Sequence, residues 1–448
     1  MPAITYRVTV EVKVSEDGAN VNEILHAVSK AREEFGVRLA EAVIGWVQDT
    51  VRDRVCGGGK SPGAWGRHAL KSEPERLCGG RKFVKEGYRT ELRRLKTDIG
   101  EIEFPVGYVR CVRCGTKFAP VLEALEIRPR QGHALELERL VVEATNKTSF
   151  ARSVAEVEGL TGVPLSKSSH HRWAAGLKLP EVEAPGLEQL MADGTKYKKA
   201  GGERGELRLA IGITGENRIV GLGTWSGKSW AQIGGELKRR LRKVPRIPVA
   251  LVDGELGLDK HVASLARSAQ RSHWHFLRDL RVLLWHDGLK KAQTRSLYDR
   301  LQGIVAVEIP AGEWEAVAPI TRDTLKAQVA KARQEFQEMI DEFERMGYCH
   351  GKEYLEGARD RIFTRVDLWL ATGIIAPKST GVIEEIMREV GRRIKKLGWN
   401  WADHGVAQQA AMILLRRYSE PQWHNFWEQR LNLRNRCQIT LGDFQCMN

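Results

Sequence analysis

The chain has 448 residues, room for several domains and a substantial core, and carries 71 Lys+Arg against 57 Asp+Glu, a net charge of +14. That balance favours a polyanionic partner, most often nucleic acid. No apolar run reaches a membrane span, the Met1-Pro2-Ala3-Ile4-Thr5-Tyr6 start lacks a signal-peptide pattern, and seven cysteines, an odd number, argue against a disulfide framework. A reduced, cytoplasmic protein with no membrane partner is expected.

Residues 1–55 read as a strand, with Val8, Val10, Val12 and Val14 alternating with polar residues, followed by a helix from about Val21 to Val55. Residues 56–125 form a cysteine-containing region that opens on Gly57-Gly58-Gly59 and reads as loop-rich and poor in strands. Within it, Tyr88 to Val109 has the pattern of a hairpin turning near Asp98-Ile99-Gly100. Thirteen Lys/Arg against six Asp/Glu in residues 51–100 supply half of the net charge, which marks a localised phosphate-contacting module.

Cys111-Val112-Arg113-Cys114-Gly115 has the form of a zinc knuckle, and Cys78-Gly79-Gly80 upstream has that of an opposite half-site. Position 75 is Glu rather than Cys, so the fourth ligand would be Cys56, His68 or Glu75. Buried free thiols beside a turn would leave the same pattern.

Residues 126–180 read as helical and contain a helix-turn-helix. Phe150 to Val157 makes one helix, and Gly162 suits its C-terminal end. Ser166 is then an N-cap for a second helix, Lys167-Ser168-Ser169-His170-His171-Arg172-Trp173. Lys167, Ser168, His171 and Arg172 are the expected DNA contacts, with Trp173 anchoring the helix. An ordinary helical hairpin is the plainer alternative. The linker Pro180-Glu181-Val182-Glu183-Ala184-Pro185-Gly186 follows as a domain boundary.

Beyond it, residues 186–280 give strands at 188–199, 207–214 and 217–225, a helix over 229–243 and a strand ending at Asp253. A helix at 258–269 and a strand near 272–277 complete the region. This β-β-β-α-β-α-β order is the layout of a ribonuclease-H-like fold. Residues 281–375 read as an all-helical insertion, with Leu325, Val329, Ala332, Phe336, Ile340 and Phe343 forming the apolar face of a long helix at 324–346. Residues 376–448 return to the core and a tail. The fold class expected is multidomain α/β: a ribonuclease-H-like mixed sheet with an all-α insertion, preceded by a zinc-knuckle-like region and a helix-turn-helix.

Asp193-Gly194 and Asp253-Gly254 each end a strand-like run, where open α/β sheets place their sites, although Asp-Gly is also a common turn dipeptide. Glu384 heads a helix on which Arg388, Arg392 and Lys395 share its face, while Ile386, Val390, Ile394 and Leu397 lie about 200° away. Three carboxylates suit hard divalent cations, and the basic stripe suits phosphates. A solvated face with an i, i+4 ion pair is the plainer alternative for the stripe. Thirteen tryptophans include Trp274, Trp285, Trp314, Trp399 and Trp401. One in the insertion is a candidate to stack on an unpaired base, packing being the commoner use.

Asp193-Gly194-Thr195, Val252-Asp253-Gly254, the run from Gln270 to Asp279 and Ser379-Thr380-Gly381-Val382-Ile383-Glu384 resemble, in order, the motifs of Mutator-like DDE transposases, enzymes of prokaryotic insertion sequences. The aspartates are 60 residues apart and the glutamate lies 131 beyond the second, room for the helical insertion such enzymes carry. The resemblance covers about 188 to 417. It implies that Asp193, Asp253 and Glu384 are catalytic ligands of Mg2+ or Mn2+, with His275 as a family-motif residue. Two positions depart: Ser272 and His273 stand where the family often has Cys before the motif histidine, and Gly381 stands at its usual Asn; Glu385 adjoins Glu384 as a rival ligand, pointing about 100° away.

The implied activity is metal-dependent DNA cleavage and strand transfer, with a structural Zn2+ as a second cofactor. Double-stranded DNA, both terminal inverted repeats and target, is the implied partner, bound by a homodimer or higher oligomer associated with a prokaryotic nucleoid. A domesticated, non-catalytic DNA-binding protein is the alternative, and retention of all three acids argues against it. A nuclease without strand transfer is a further rival.

Overall fold

A computed structural model describes residues 20–57, 78–181, 184–311, 314–397 and 400–433, with isolated positions 4, 13, 437, 439 and 440. The alternating valines Val8 to Val14 lie outside the described residues. The protein is mixed α/β and divides into two compact units, residues 1–144 with 150–170, and residues 145–149 with 171–448.

In the first unit, α1 (Val21–Cys56) begins at a capping box. Asn20 Oδ1 accepts from the Asn22 and Glu23 amides, and Glu23 Oε2 accepts from the Asn20 amide. Strands β1 (Phe83–Tyr88), β2 (Arg93–Thr97), β3 (Gly100–Phe104), β4 (Gly107–Cys111) and β5 (Lys117–Phe118) follow. The region expected to be poor in strands therefore holds five short ones.

The hairpin turn falls at Asp98-Ile99, where β2 meets β3 with Thr97 opposite Gly100. Outside that pair, β1 runs antiparallel to β4, and β4 to β5. Val51 and Val55 of α1 pack with Phe83, Val109, Cys78 and Cys111.

Helices α2 (Pro120–Ala124), α3 (Leu135–Lys147), α4 (Phe150–Thr161) and α5 (Lys167–Gly176) complete this half of the chain. Gly162, at φ +67°, closes α4 by donating to Glu158 O at 2.8 Å. Ser166 Oγ accepts from the Ser169 amide at 3.1 Å, so it caps α5.

The second unit is built on β6 (Leu187–Lys198), β7 (Arg204–Thr214), β8 (Ile219–Ser226), α6 (Trp230–Arg240), β9 (Ile247–Val252), α7 (Leu256–His261) and β10 (Ala266–Arg271). The sheet order is β8-β7-β6-β9-β10. The first three strands are antiparallel, while β9 runs parallel to β6 and β10 parallel to β9. Leu190, Ala210, Ala250, Ile233 and Leu237 form the core beneath α6.

The last strand and helix of this region sit earlier than their sequence pattern suggests. The helix expected at 258–269 stops at His261, and the strand expected near 272–277 is β10 at 266–271. Residues 273–277 instead begin α8 (His273–His286). As an edge strand, Ala266-Arg267-Ser268-Ala269-Gln270-Arg271 needs little apolar surface and escapes the alternation rule. Phe276, Leu280 and Leu284 follow helical spacing, and all three are buried.

The helical segment therefore starts at α8 and continues through α9 (Lys291–Val305), α10 (Pro319–Met346), α11 (Cys349–Ala358) and α12 (Thr364–Thr372). All six apolar positions expected on the long helix are buried along α10. They meet Phe276, Leu284 and Trp369 in one core. The chain then returns through α13 (Gly381–Gly391), a π-helical turn at Arg392–Lys396, α14 (Asp403–Tyr418) and α15 (Glu420–Leu431). Among the described residues no helix is long and apolar enough to cross a membrane.

Candidate functional site

Register brings the two aspartates together. On the parallel strands β6 and β9, Met191 pairs with Leu251, so Asp193, two residues further along β6, and Asp253, just past the end of β9, stand at the same end of neighbouring strands. Asp193 is half-buried, and its Oδ1 accepts from the Gly194 amide at 2.6 Å. Burial, reinforced by the negative charges of Asp253, Glu384 and Glu255, pushes its carboxyl up to about 7 against the opposing pull of the Gly194 amide.

Asp253 follows the end of β9, and its Oδ1 accepts from the Glu255 amide at 3.0 Å. Gly254 adopts φ +95°, and a Cβ there would sit 1.2 Å from Arg271 Nη1. Glycine is thus required twice, by the backbone and by the guanidinium lying against it. Arg271 is buried, and its Nη2 donates to the Tyr354 hydroxyl at 2.8 Å.

Glu384 stands in the first turn of α13. Its Oε1 accepts from Thr380 Oγ1 at 2.9 Å and meets His275 Nε2, from α8, at 3.1 Å. Glu385 is exposed, and its charge acts on Arg417 and Tyr418 of α14. Glu384 is therefore the glutamate turned toward Asp193.

The basic face expected after it is present in part. Arg388, Arg392 and Lys395 are exposed, and Ile386, Val390 and Ile394 are buried. Lys395 Nζ donates to Thr195 Oγ1, two residues beyond Asp193. The π-helical turn carries Arg393 inward, where its Nε donates to Thr145 O at 2.7 Å and its guanidinium lies 5.2 Å from the centre of the Trp401 ring.

Sequence reasoning missed Thr380, Arg271 and Glu255. A Ser-Thr pair ahead of a helix signals an N-cap, but the Thr380 hydroxyl bonds the Glu384 carboxylate rather than the helix amides. Nothing local in the sequence marks Arg271 as the neighbour of Gly254.

The cysteine cluster belongs to the first unit. The metal-ligand atoms of Cys78, Cys111 and Cys114 all lie within 4.8 Å of one another, closer than any other trio of potential ligands among the described residues. Asp193, Asp253 and Glu384 do not form such a group among the described residues. Cys78 and Cys111 Sγ are 3.9 Å apart. The knuckle turn is closed by Gly115 N to Cys111 O at 2.9 Å, with Gly115 at φ +71°.

A Cβ on Gly80 would come within 2.7 Å of Cys111 Sγ and 3.2 Å of Cys78 Sγ, so the glycine lets backbone approach both sulfurs. Burial and the neighbouring thiols raise the Cys78 thiol, and the Gly80 amide opposes them. A thiol trio with a backbone donor is a donor set that fits zinc. Cys56 packs at the edge of the same apolar cluster but is not one of the trio, and His68 and Glu75 lie outside the described residues.

Lys167, Ser168, His171 and Arg172 are exposed on α5, and Trp173 is half-buried. His170 is fully buried, with Nδ1 2.9 Å from Ser153 Oγ on α4, and burial holds it down at about 4. Comparison of the chain with models of known protein families and with curated protein sequences returned no match.

Proposed function

We propose that the protein is a DDE-type transposase of the Mutator-like kind, cleaving DNA and transferring the cut strand with Asp193, Asp253 and Glu384 as metal ligands. In this reading the second unit is a ribonuclease-H-like core interrupted by the helices α8 to α12, and α4 and α5 form a DNA-binding helix-turn-helix. A sheet ordered third-second-first-fourth-fifth, its first three strands antiparallel, supports the core assignment. The observation that carries the reading is register: parallel pairing of β6 with β9 puts Asp193 and Asp253 at the same end of neighbouring strands, and Glu384, far away in sequence, is near enough for its charge to act on Asp193.

Hard oxygen donors that repel one another are the donor type a divalent cation takes, and one binding here would draw the three carboxylates closer than they stand. Bound there, Mg2+ or Mn2+ would activate water or a 3′-hydroxyl and stabilise the leaving oxygen. The chain's own residues orient the donors: Thr380 and His275 fix Glu384, and the Gly194 amide fixes Asp193. Arg388, Arg392 and Lys395 offer cations to the phosphates of the bound strand. Zinc held by Cys78, Cys111 and Cys114 would be structural.

The test uses purified protein, Mg2+ or Mn2+, and DNA carrying the sequences that flank the gene on both sides. Cation-dependent nicking that exposes a 3′-hydroxyl, followed by joining to a target plasmid, is the expected result. Specific binding without nicking under either cation would favour a domesticated DNA-binding protein. Nicking without joining would favour a nuclease.

A further inference from the structure

We propose that the outward face of α8 is a binding track for single-stranded DNA, leading from the carboxylate site to a basic groove at the turn between α8 and α9. Trp274, Arg278, Arg281 and Trp285 stand at offsets of 0, 4, 7 and 11, within roughly 60° of one another around the helix. All four are exposed, and the two indoles retain 53% and 69% of their accessible surface. The opposite face of α8 is satisfied by the helical core through Phe276, Leu280 and Leu284. The tryptophans are therefore surplus to packing.

The track is continuous with the site at one end. The Trp274 ring meets His275 edge to face at 4.8 Å between centres, and His275 contacts Glu384. At the other end, a groove of about 670 Å³ is lined by residues that include Arg281, Trp285, Lys290, Lys291, Thr294 and Arg295. The two indoles are about 16 Å apart along the helix axis, a span for several nucleotides.

The cations between them are placed for phosphates. The Arg281 guanidinium carbon lies 3.7 Å from the centre of the Tyr298 ring, and that of Arg278 lies 4.8 Å from the centre of the Trp274 ring. Arg278 is paired with Asp279 and Arg295 with Asp299. Arg281, Lys290 and Lys291 make no ion pair among the described residues. Exposed indoles interleaved with cations, three of them without an ion pair, suit a strand whose bases are free to stack, which those of a duplex are not. The position beside Glu384 rests on the proposed function; the single-strand affinity does not.

The experiment is fluorescence anisotropy of the full chain with a labelled oligothymidine of about 20 nucleotides, longer than a typical single-strand footprint. Heparin serves as a polyanion without bases. Trp274→Ala and Trp285→Ala should each weaken oligothymidine binding about 5- to 150-fold, with heparin binding unchanged. Trp274→Phe and Trp285→Phe should retain most of the affinity, which separates stacking from general damage. Alanine variants that bind oligothymidine like the unmodified chain would overturn the proposal, as would phenylalanine variants that lose as much as alanine. Tryptophan-dependent binding by a chain that never nicks DNA would refute the proposed function and leave the track standing. Nicking by a chain whose single-strand binding ignores both tryptophans would do the reverse.

Discussion

His275 and Glu384, 109 residues apart in the chain, meet at 3.1 Å between Nε2 and Oε1, and the Thr380 hydroxyl reaches the same oxygen at 2.9 Å. The carboxylate is thereby fixed from two directions. His275→Ala and Thr380→Val should each lower cation-dependent cleavage by about 10- to 100-fold, the usual loss when a partner of a metal ligand is removed. A titration against Mg2+ should show the loss as weaker cation dependence, with DNA binding little changed.

Glu384→Gln should abolish cleavage while DNA binding persists. Glu385→Gln should leave cleavage near that of the unmodified chain, because that side chain faces solvent and α14. Parallel nicking and mobility-shift assays check both. The opposite pattern would move the ligand role to Glu385.

Purified protein should carry one zinc per chain on Cys78, Cys111 and Cys114, at Zn–S distances of about 2.3 Å by X-ray absorption. Cys111→Ser should release the metal and unfold the first unit, because metal binding and folding are linked. Cys56→Ser should have a smaller effect, since Cys56 stands outside the trio. Elemental analysis and circular dichroism read both outcomes.

His170 gives a pH dependence of definite sign. Burial lowers it from 6.5 to about 4 in the folded protein, so the unfolded chain binds the extra proton between those values. The stability it contributes is complete above about 6.5 and is lost as pH falls toward 4, up to about 3 kcal/mol. His273, also lowered to about 4, adds the same trend. Replacing His170 by Gln should flatten the pH dependence of unfolding by its own share and leave the share of His273.

Binding of specific DNA should fall by about 10³–10⁵ between 50 and 200 mM salt if 6–10 phosphates are contacted. Arg172→Ala should reduce discrimination against random DNA by about 1–3 kcal/mol if it reads a base edge, and Lys167→Ala should weaken both complexes equally. Competition assays at fixed salt distinguish the two effects.

Much of this architecture was legible from periodicity. The α10 face, the caps at Gly162 and Ser166, and the Asp98-Ile99 turn follow from residue types acting locally. What escaped depends on tertiary context. β10 is polar because it is an edge strand, and its sequence looks like loop. The π-helical turn has no signature in Arg392-Arg393-Ile394-Lys395-Lys396; the helical count does put Arg393 opposite Glu384 beside Ile386, but nothing local says that a buried partner waits there for its charge. Of the candidate site, the three acids were singled out by their motifs. The groups that hold and surround them, Thr380, Arg271 and Glu255, become neighbours only when the sheet and α13 assemble.

Arg271 lies where a side chain on residue 254 would begin. The glycine after the second aspartate thus has a tenant, a buried cation anchored on Tyr354 from the neighbouring strand. Adding even a methyl group at 254 would evict that guanidinium, and shortening residue 271 would leave a hole beside the aspartate. Shortening residue 271 would clear the space but not the positive φ, so residue 254 stays glycine whatever stands at 271, and the guanidinium uses the room this leaves to tie the turn holding Asp253 to the sheet edge and, through Tyr354, to the helices beyond it.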